Sequence, residues 1–225
     1  MTKKKLNPQR DFDLNAIEIG DGLNINENDL AESSIYNKEE IPIIYKTNTI
    51  NIARRAKSED ALFKVLNYEG ELKKGYSYHF LSAGDIDILS YLKYFIRFKK
   101  YENVLISTWC MARHDITEIK EWLDNKQIKT FHLCLGEIFK GSYGFEYGML
   151  RKLQTDGYNI KITIFRNHSK IILGHAKPNY YFVIESSANV NTNPRTENTT
   201  VFIDKELYWF YYKYFNSIKS YENET

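Results

Sequence analysis

The chain has 225 residues, enough for one well-buried core with an accessory segment. Its 43% hydrophobic and 27% charged residues suit a soluble globular protein and exclude a low-complexity or disordered chain as a whole. The net charge of +2 divides unevenly: residues 1–40 hold 5 Lys/Arg and 9 Asp/Glu, so residues 41–225 hold 26 and 20, an acidic arm ahead of a mildly basic body. No apolar run approaches the length of a membrane span, and the basic start "MTKKKLNPQRDFDLN" lacks the apolar segment of a signal peptide. Both absences point to a cytoplasmic protein with no membrane partner.

In chain order, residues 1–40 lack sustained periodicity and read as an extended, partly ordered arm. Residues 41–75 read as an accessory segment: a short strand "IPIIYK", then a helix "SEDALFKVLN". That helix has Ser58 as N-cap and Ala61, Leu62, Val65 and Leu66 on one face. Just before it, "RRAK" at 54–57 reads as a solvated basic helix start.

Residues 76–225 are more regular. "YSYHFLSA" reads as a strand. "GDIDILSYLKYFIRF" reads as a helix capped by Asp85, with Leu89, Leu92 and Ile96 inward. "NVLIST" is an apolar strand. "HDITEIKEWLDN" opens with a capping box, Asp115 with Glu118, and buries Ile116, Ile119 and Leu123. "IKTFHLCLG" is a strand, and "SYGFEYGMLRKLQTDG" a helix ended by Gly157. "NIKITIF", "NHSKIILG", "YYFVIESS" and "TTVFID" read as four more strands. The last helix follows Asp204 as N-cap, with Leu207, Phe210, Tyr211, Tyr214, Phe215 and Ile218 at helical spacing. The expected fold is α/β, a mixed β-sheet flanked by helices on both faces. Cys110 and Cys134 sit in apolar stretches and read as reduced core thiols.

Two stretches do not fit a plain core. "NHSKIILG" sets His168 and Lys170 two residues apart in what reads as a strand, and so on one face. "ESSANVNTNPRTENTT" then crowds small polar groups behind an apolar strand, as a ligand-holding turn does. Each stretch alone has an ordinary structural reading. Together, His168, Lys170, Ser187, Asn189 and Glu197 resemble the HxK…GSxN signature of the phospholipase D-like superfamily of phosphodiesterases and nucleases. The wording is most similar to small single-motif members carried by phages and integrated elements.

The resemblance covers about residues 76–220 and implies a single-motif phospholipase D-like domain. It also implies a metal-independent phosphodiesterase needing no cofactor. Neutral imidazole can attack phosphorus and form a phosphohistidine. The lysine ammonium and asparagine amide can stabilise charge on the phosphoryl oxygens. Glu197 can hold the far imidazole nitrogen, and a second histidine must protonate the leaving oxygen. Family members take that histidine from a second motif. The pattern is read once here, at 168–170, so the resemblance implies a homodimer with the site on its two-fold axis.

Nucleic acid, DNA above all, is the implied substrate. Arg166, Arg195 and Arg113 are its candidate phosphate-gripping residues. Two departures stand out. The position five residues after the lysine, an aspartate in the family, is His175, and the stretch before the "SSAN" turn is longer than usual, with Asn179 a candidate substitute for the aspartate. They favour the rival reading, a nucleic-acid-binding or inhibitor protein that keeps the fold without the reaction. Trp109, and Glu137 with Ser142, Tyr143 and Glu146, follow strands and are candidates for the rim of the site.

Overall fold

The computed structural model describes residues 18–19, 23–24, 48–67, 72–191 and 195–221. The chain forms two compact units, Met1–Lys46 and Thr47–Thr225. In the first, strands β1 (Glu18–Ile19) and β2 (Leu23–Asn24) pair antiparallel. The expected strand "IPIIYK" lies outside the described residues.

The second unit is built on seven strands: β3 (Ser77–Ser82), β4 (Asn103–Thr108), β5 (Phe131–Gly136), β6 (Ile160–Phe165), β7 (Ile171–Ala176), β8 (Tyr180–Ser186) and β9 (Glu197–Phe202). Their order is β3-β9-β8-β7-β4-β5-β6. β4, β5 and β6 run parallel, and every other pairing is antiparallel. The sheet is therefore mixed because β7 enters beside β4 and turns the chain into a meander.

Alternation along the strands builds two cores. Val104, Ile106, Leu133, Leu135, Ile172, Phe182 and Ile184 face one way; Leu105, Cys134, Leu173, Tyr181 and Val183 face the other. The first face is covered by α2 (Ile88–Ile96), α3 (Arg113–Asp124) and α5 (Gly144–Thr155) after the short α4 (Phe139–Ser142). Leu62 and Leu66 of α1 (Asn48–Asn67) join the same core. The second face is covered by α6 (Lys205–Ser217), through Tyr208 and Phe215. Helices thus lie on both faces, as the sequence pattern predicts. Each fully buried Leu or Ile contributes about 2 kcal/mol of burial free energy, which outweighs the polar helix starts and loops.

Several local expectations are corrected. α1 starts at Asn48, so Ser58 is a buried mid-helix residue and not its cap. Val65 is 60% exposed, off the buried face. Arg55 is no solvated charge. It is buried, with Asp87 at 3.2 Å, Asp115 at 3.0 Å and Glu59 at 3.0 Å. Asp87, and not Asp85, caps α2 by accepting from the backbone N–H groups of Leu89 and Ser90. In α3, Asp115 and not Glu118 reaches back, to the backbone N–H of Ala112 at 3.2 Å. Arg55 therefore ties the N-terminal ends of two helices together; burial works against its charge, but Asp87, Asp115, Glu59 and Glu118 hold its guanidinium above its ordinary pKa.

On α6, Phe210 and Tyr214 are exposed, while the inner residues are Tyr208 and Phe215. Gly157, with φ +89°, ends α5 as expected. Both cysteines are free and buried.

Candidate active site

The strand directions bring the unusual residues to one end of the sheet. β4, β5 and β6 end there, at Thr108, Gly136 and Phe165; β8 ends there at Ser186, and β7 and β9 begin there at Ile171 and Glu197. The His168–Lys170 stretch is not part of the strand, contrary to the expectation. β7 begins one residue after Lys170, and Asn167–Lys170 form an irregular link from β6. The physical reason is that side chains take backbone N–H groups a ladder would need: Asn167 Oδ1 takes that of Ser169 at 3.0 Å, and the Glu137 carboxylate that of Asn167 at 3.3 Å.

His168 is exposed, whereas Lys170 is only 7% exposed. The Lys170 ammonium lies 2.6 Å from the His168 carbonyl oxygen and 3.0 Å from its Nδ1. Burial pushes this ammonium down from its ordinary pKa, with Cys110 and Glu197 nearby acting the other way. The Lys170 carbonyl accepts from the Ser186 backbone N–H at 2.9 Å, so the "HSK" segment sits directly against the "SSAN" turn.

That turn is tied to its neighbours by side chains. Ser186 Oγ is 2.7 Å from Thr199 Oγ1 and accepts from the Ala188 N–H at 3.0 Å. Ser187 Oγ accepts from the Asn198 N–H at 3.0 Å and donates to the Glu197 carboxylate. The Asn189 side-chain Oδ1 accepts from the Trp109 backbone N–H at 3.4 Å, which leaves its Nδ2 as the group it has to offer. Within this chain Glu197 therefore holds Ser187 and not the His168 imidazole.

The rim is aromatic and charged. The Trp109 ring is 5.7 Å from the His168 ring, centre to centre. A Cβ on Gly136 would stand 2.5 Å from Trp109 Cδ1 and 3.0 Å from its carbonyl oxygen, so only glycine lets Trp109 cross the end of β5. Glu137 accepts from the Asn167 backbone N–H at 3.3 Å. Tyr143 bonds to Cys110, whose thiol burial pushes up.

Arg166 and Arg195 are exposed at this end. Arg113 is also exposed but already engaged: it meets Glu146 at 2.7 Å and lies 4.2 Å over the Phe145 ring. Ser142 is exposed on the short helix α4.

The far end of β7 accounts for both departures from the motif. His175 stacks on Tyr181 with ring centres 4.6 Å apart and stands beside Tyr208 under α6. Asn179 lies in the β7–β8 turn, also at the end away from His168, so it does not substitute for the aspartate. A second His-x-Lys spacing, His175 with Lys177, escapes the single-copy reading; Lys177 pairs with Glu102 at 3.1 Å at that same far end. Its position there, away from the "SSAN" turn, distinguishes it from His168 and Lys170.

Among the described residues, no three His, Cys, Asp or Glu side chains are grouped to hold a metal ion. No helix among them is long and apolar enough to cross a membrane.

No protein-family model matches the chain, and no curated protein matches it. Solved structures similar to this chain include the following. NucT from Helicobacter pylori is 17% identical over 63% of this chain and 95% of its own, with a TM-score of 0.46. Nuc from Salmonella typhimurium, a phospholipase D family member, is 12% identical over 63% of this chain and 93% of its own, with a TM-score of 0.47. Polyphosphate kinase from Porphyromonas gingivalis is 11% identical over 62% of this chain but only 25% of its own, with a TM-score of 0.49. The likeness is one of fold; the chemistry rests on the residues at the sheet end.

Proposed function

We propose that this protein is a metal-independent phosphodiesterase acting on nucleic acid, with His168 as nucleophile and the active site completed by a second copy of the chain. The observation that carries the reading is the exposed His168 imidazole beside the buried Lys170 ammonium, against the Ser187–Asn189 turn.

The steps follow from those groups. A phosphate oxygen is a stronger acceptor than imidazole, so the Lys170 ammonium moves its bond from Nδ1 to the bound anion. Freed from Lys170, the exposed imidazole exchanges its proton with solvent to the tautomer protonated on Nδ1. Its Nε2 lone pair then attacks phosphorus, the P–N bond forms and the bond to the leaving oxygen breaks. Lys170 and the Asn189 amide stabilise the charge gathering on the remaining oxygens. His168 of the second copy gives its proton to the leaving oxygen. It then takes one from water, which attacks phosphorus and breaks the P–N bond. Arg166 and Arg195 hold neighbouring phosphates, and Arg113 joins them only by giving up Glu146.

The test is cleavage of an oligonucleotide and of bis(p-nitrophenyl) phosphate by wild type and His168→Ala, each with and without chelator. Cleavage that survives chelator and vanishes in His168→Ala, with acid-labile phosphate trapped on the wild-type protein, supports the reading. Cleavage by His168→Ala sinks the nucleophile, and loss in chelator points to a metal enzyme.

One observation favours a second reading. Glu197 is engaged by Ser187, and the motif aspartate is replaced by a histidine packed far from the site. A protein that binds nucleic acid without turnover would show salt-dependent affinity and no cleavage under any of these conditions.

A further inference from the structure

The link carrying His168 is irregular backbone, yet its two flanking residues are fixed. Asn167 is 5% exposed and bonded on both sides of its amide. Its Nδ2 donates to the Cys134 carbonyl at 2.8 Å, to Ser107 Oγ at 2.9 Å and to the Thr108 carbonyl at 3.3 Å, spanning the ends of β5 and β4. Its Oδ1 accepts from the Ser169 backbone N–H at 3.0 Å and from Ser169 Oγ at 2.7 Å. Ser169 Oγ is also 2.6 Å from Ser107 Oγ. Residues 167 and 169 are thus anchored into the sheet end, and His168 between them projects outward.

We propose that Asn167 is a positioning residue: it fixes the backbone on both sides of His168 and so sets where the imidazole stands over the phosphate. This rests on His168 being the nucleophile. The local chemistry calls for a side-chain amide. Two carbonyls need donors, while a backbone N–H and a hydroxyl need an acceptor, and a hydroxyl side chain, with its single O–H, cannot serve both carbonyls. An ionised aspartate would turn lone pairs on the Cys134 and Thr108 carbonyls. Leucine would remove the partner Asn167 gives to each of these four groups, leaving the Ser169 hydroxyl only its contact with Ser107.

The test compares wild type, Asn167→Asp and Ser169→Ala in steady-state cleavage of bis(p-nitrophenyl) phosphate across pH, with His168→Ala as control. Misplacing a reacting group by an ångström costs on the order of 100-fold in rate. We expect Asn167→Asp to lose kcat on that order with KM nearly unchanged. Its deficit should shrink at acid pH, where a protonated carboxyl again offers a donor. Ser169→Ala, which leaves the bonds of Asn167 to the strand ends, should lose roughly 10-fold. A folded Asn167→Asp with wild-type kcat overturns the proposal, as does a kcat loss in it with a wild-type pH profile. Should Asn167→Asp fail to fold, Ser169→Ala decides alone, wild-type kcat overturning the proposal and a kcat loss supporting it. Retained cleavage in His168→Ala instead overturns the nucleophile reading itself.

Discussion

The Lys170 ammonium reaches both the carbonyl oxygen and the Nδ1 of His168, at 2.6 Å and 3.0 Å. One buried cation therefore holds the residue that carries the proposed nucleophile. In the proposed reaction a phosphate oxygen takes the place of Nδ1 on that cation.

Replacing Lys170 with Met should remove both that hold and the charge facing the phosphate. The expected loss is roughly 10²–10³ in kcat, the scale for one donor to a developing oxyanion. Lys170→Arg should not restore it, because a planar guanidinium does not fit a pocket that leaves the lysine 7% exposed. Single-turnover kinetics on the two variants check both statements.

A site shared between two copies predicts how mixtures behave. When wild type is co-refolded with His168→Ala at a fixed total, activity should fall as the square of the wild-type fraction, since each site needs both histidines. A linear fall would mean that each chain works alone. Native mass spectrometry of the same mixtures reports the dimer directly.

Two glycines separate stability from chemistry. In Gly174→Ala, the new Cβ would stand 2.0 Å from Phe182 Cε1, and Phe182 is buried and stacked on Phe95 at 4.1 Å. Such overpacking costs about 1–3 kcal/mol or more, and cleavage by the folded fraction should be normal. In Gly136→Ala, the clash falls on Trp109 and on the Asn167 carbonyl oxygen, 3.2 Å from the new Cβ. Its kcat should drop even where it stays folded. Urea midpoints set beside kcat distinguish the two.

His132 gives a pH dependence of stability. Burial, and then the charge of Lys161, push its pKa down to about 4. The unfolded chain takes up a proton near pH 6.5 that the folded site refuses until about pH 4. Stability is thus full above the unfolded value and falls as pH drops through that window, by at most roughly 3 kcal/mol. His132→Gln, which keeps a partner for Thr163 Oγ1, should flatten that part of the curve. Urea midpoints at pH 7.5 and 4.5, taken as the difference between the two proteins, measure it.

Arg55→Met should cost about 3–5 kcal/mol, because it leaves Asp87 and Asp115 as buried carboxylates without their cation. Burial already lifts the Asp87 carboxyl to about 6, against the pull of Arg55. Thermal unfolding of the variant checks the loss.

The same residue shows where local pattern stops being informative. The apolar runs of β4, β5 and β8 and the inner face of α2 were legible because each is set by neighbours in sequence; on α3, Ile116 and Ile119 are buried as expected, but Trp122 takes the inner place expected of Leu123. Arg55 read as solvated because the two fully buried carboxylates among its partners stand 32 and 60 residues downstream. Phe210 and Tyr214 read as inward because α6 is aromatic all round, so its period could not say which stripe faces the sheet. At the site, the residue types of the motif were legible, and the sheet end gathers them. The link at 167–170 read as a strand because alternating buried and exposed residues look alike whether a ladder or side-chain anchors produce them. The role of Asn167 depends on Ser107 and Cys134, 60 and 33 residues away, and nothing near it in sequence signals that.

The β7–β8 turn at Lys177–Asn179 is exposed and stands at the opposite end of the sheet from His168. Extra chain there lengthens a hairpin without entering the cleft. Motif spacing along this stretch thus measures the height of a hairpin, and two proteins can differ in it while their reacting atoms superpose. The same loop is a natural attachment point for a fluorophore or an inserted tag that leaves the proposed site untouched.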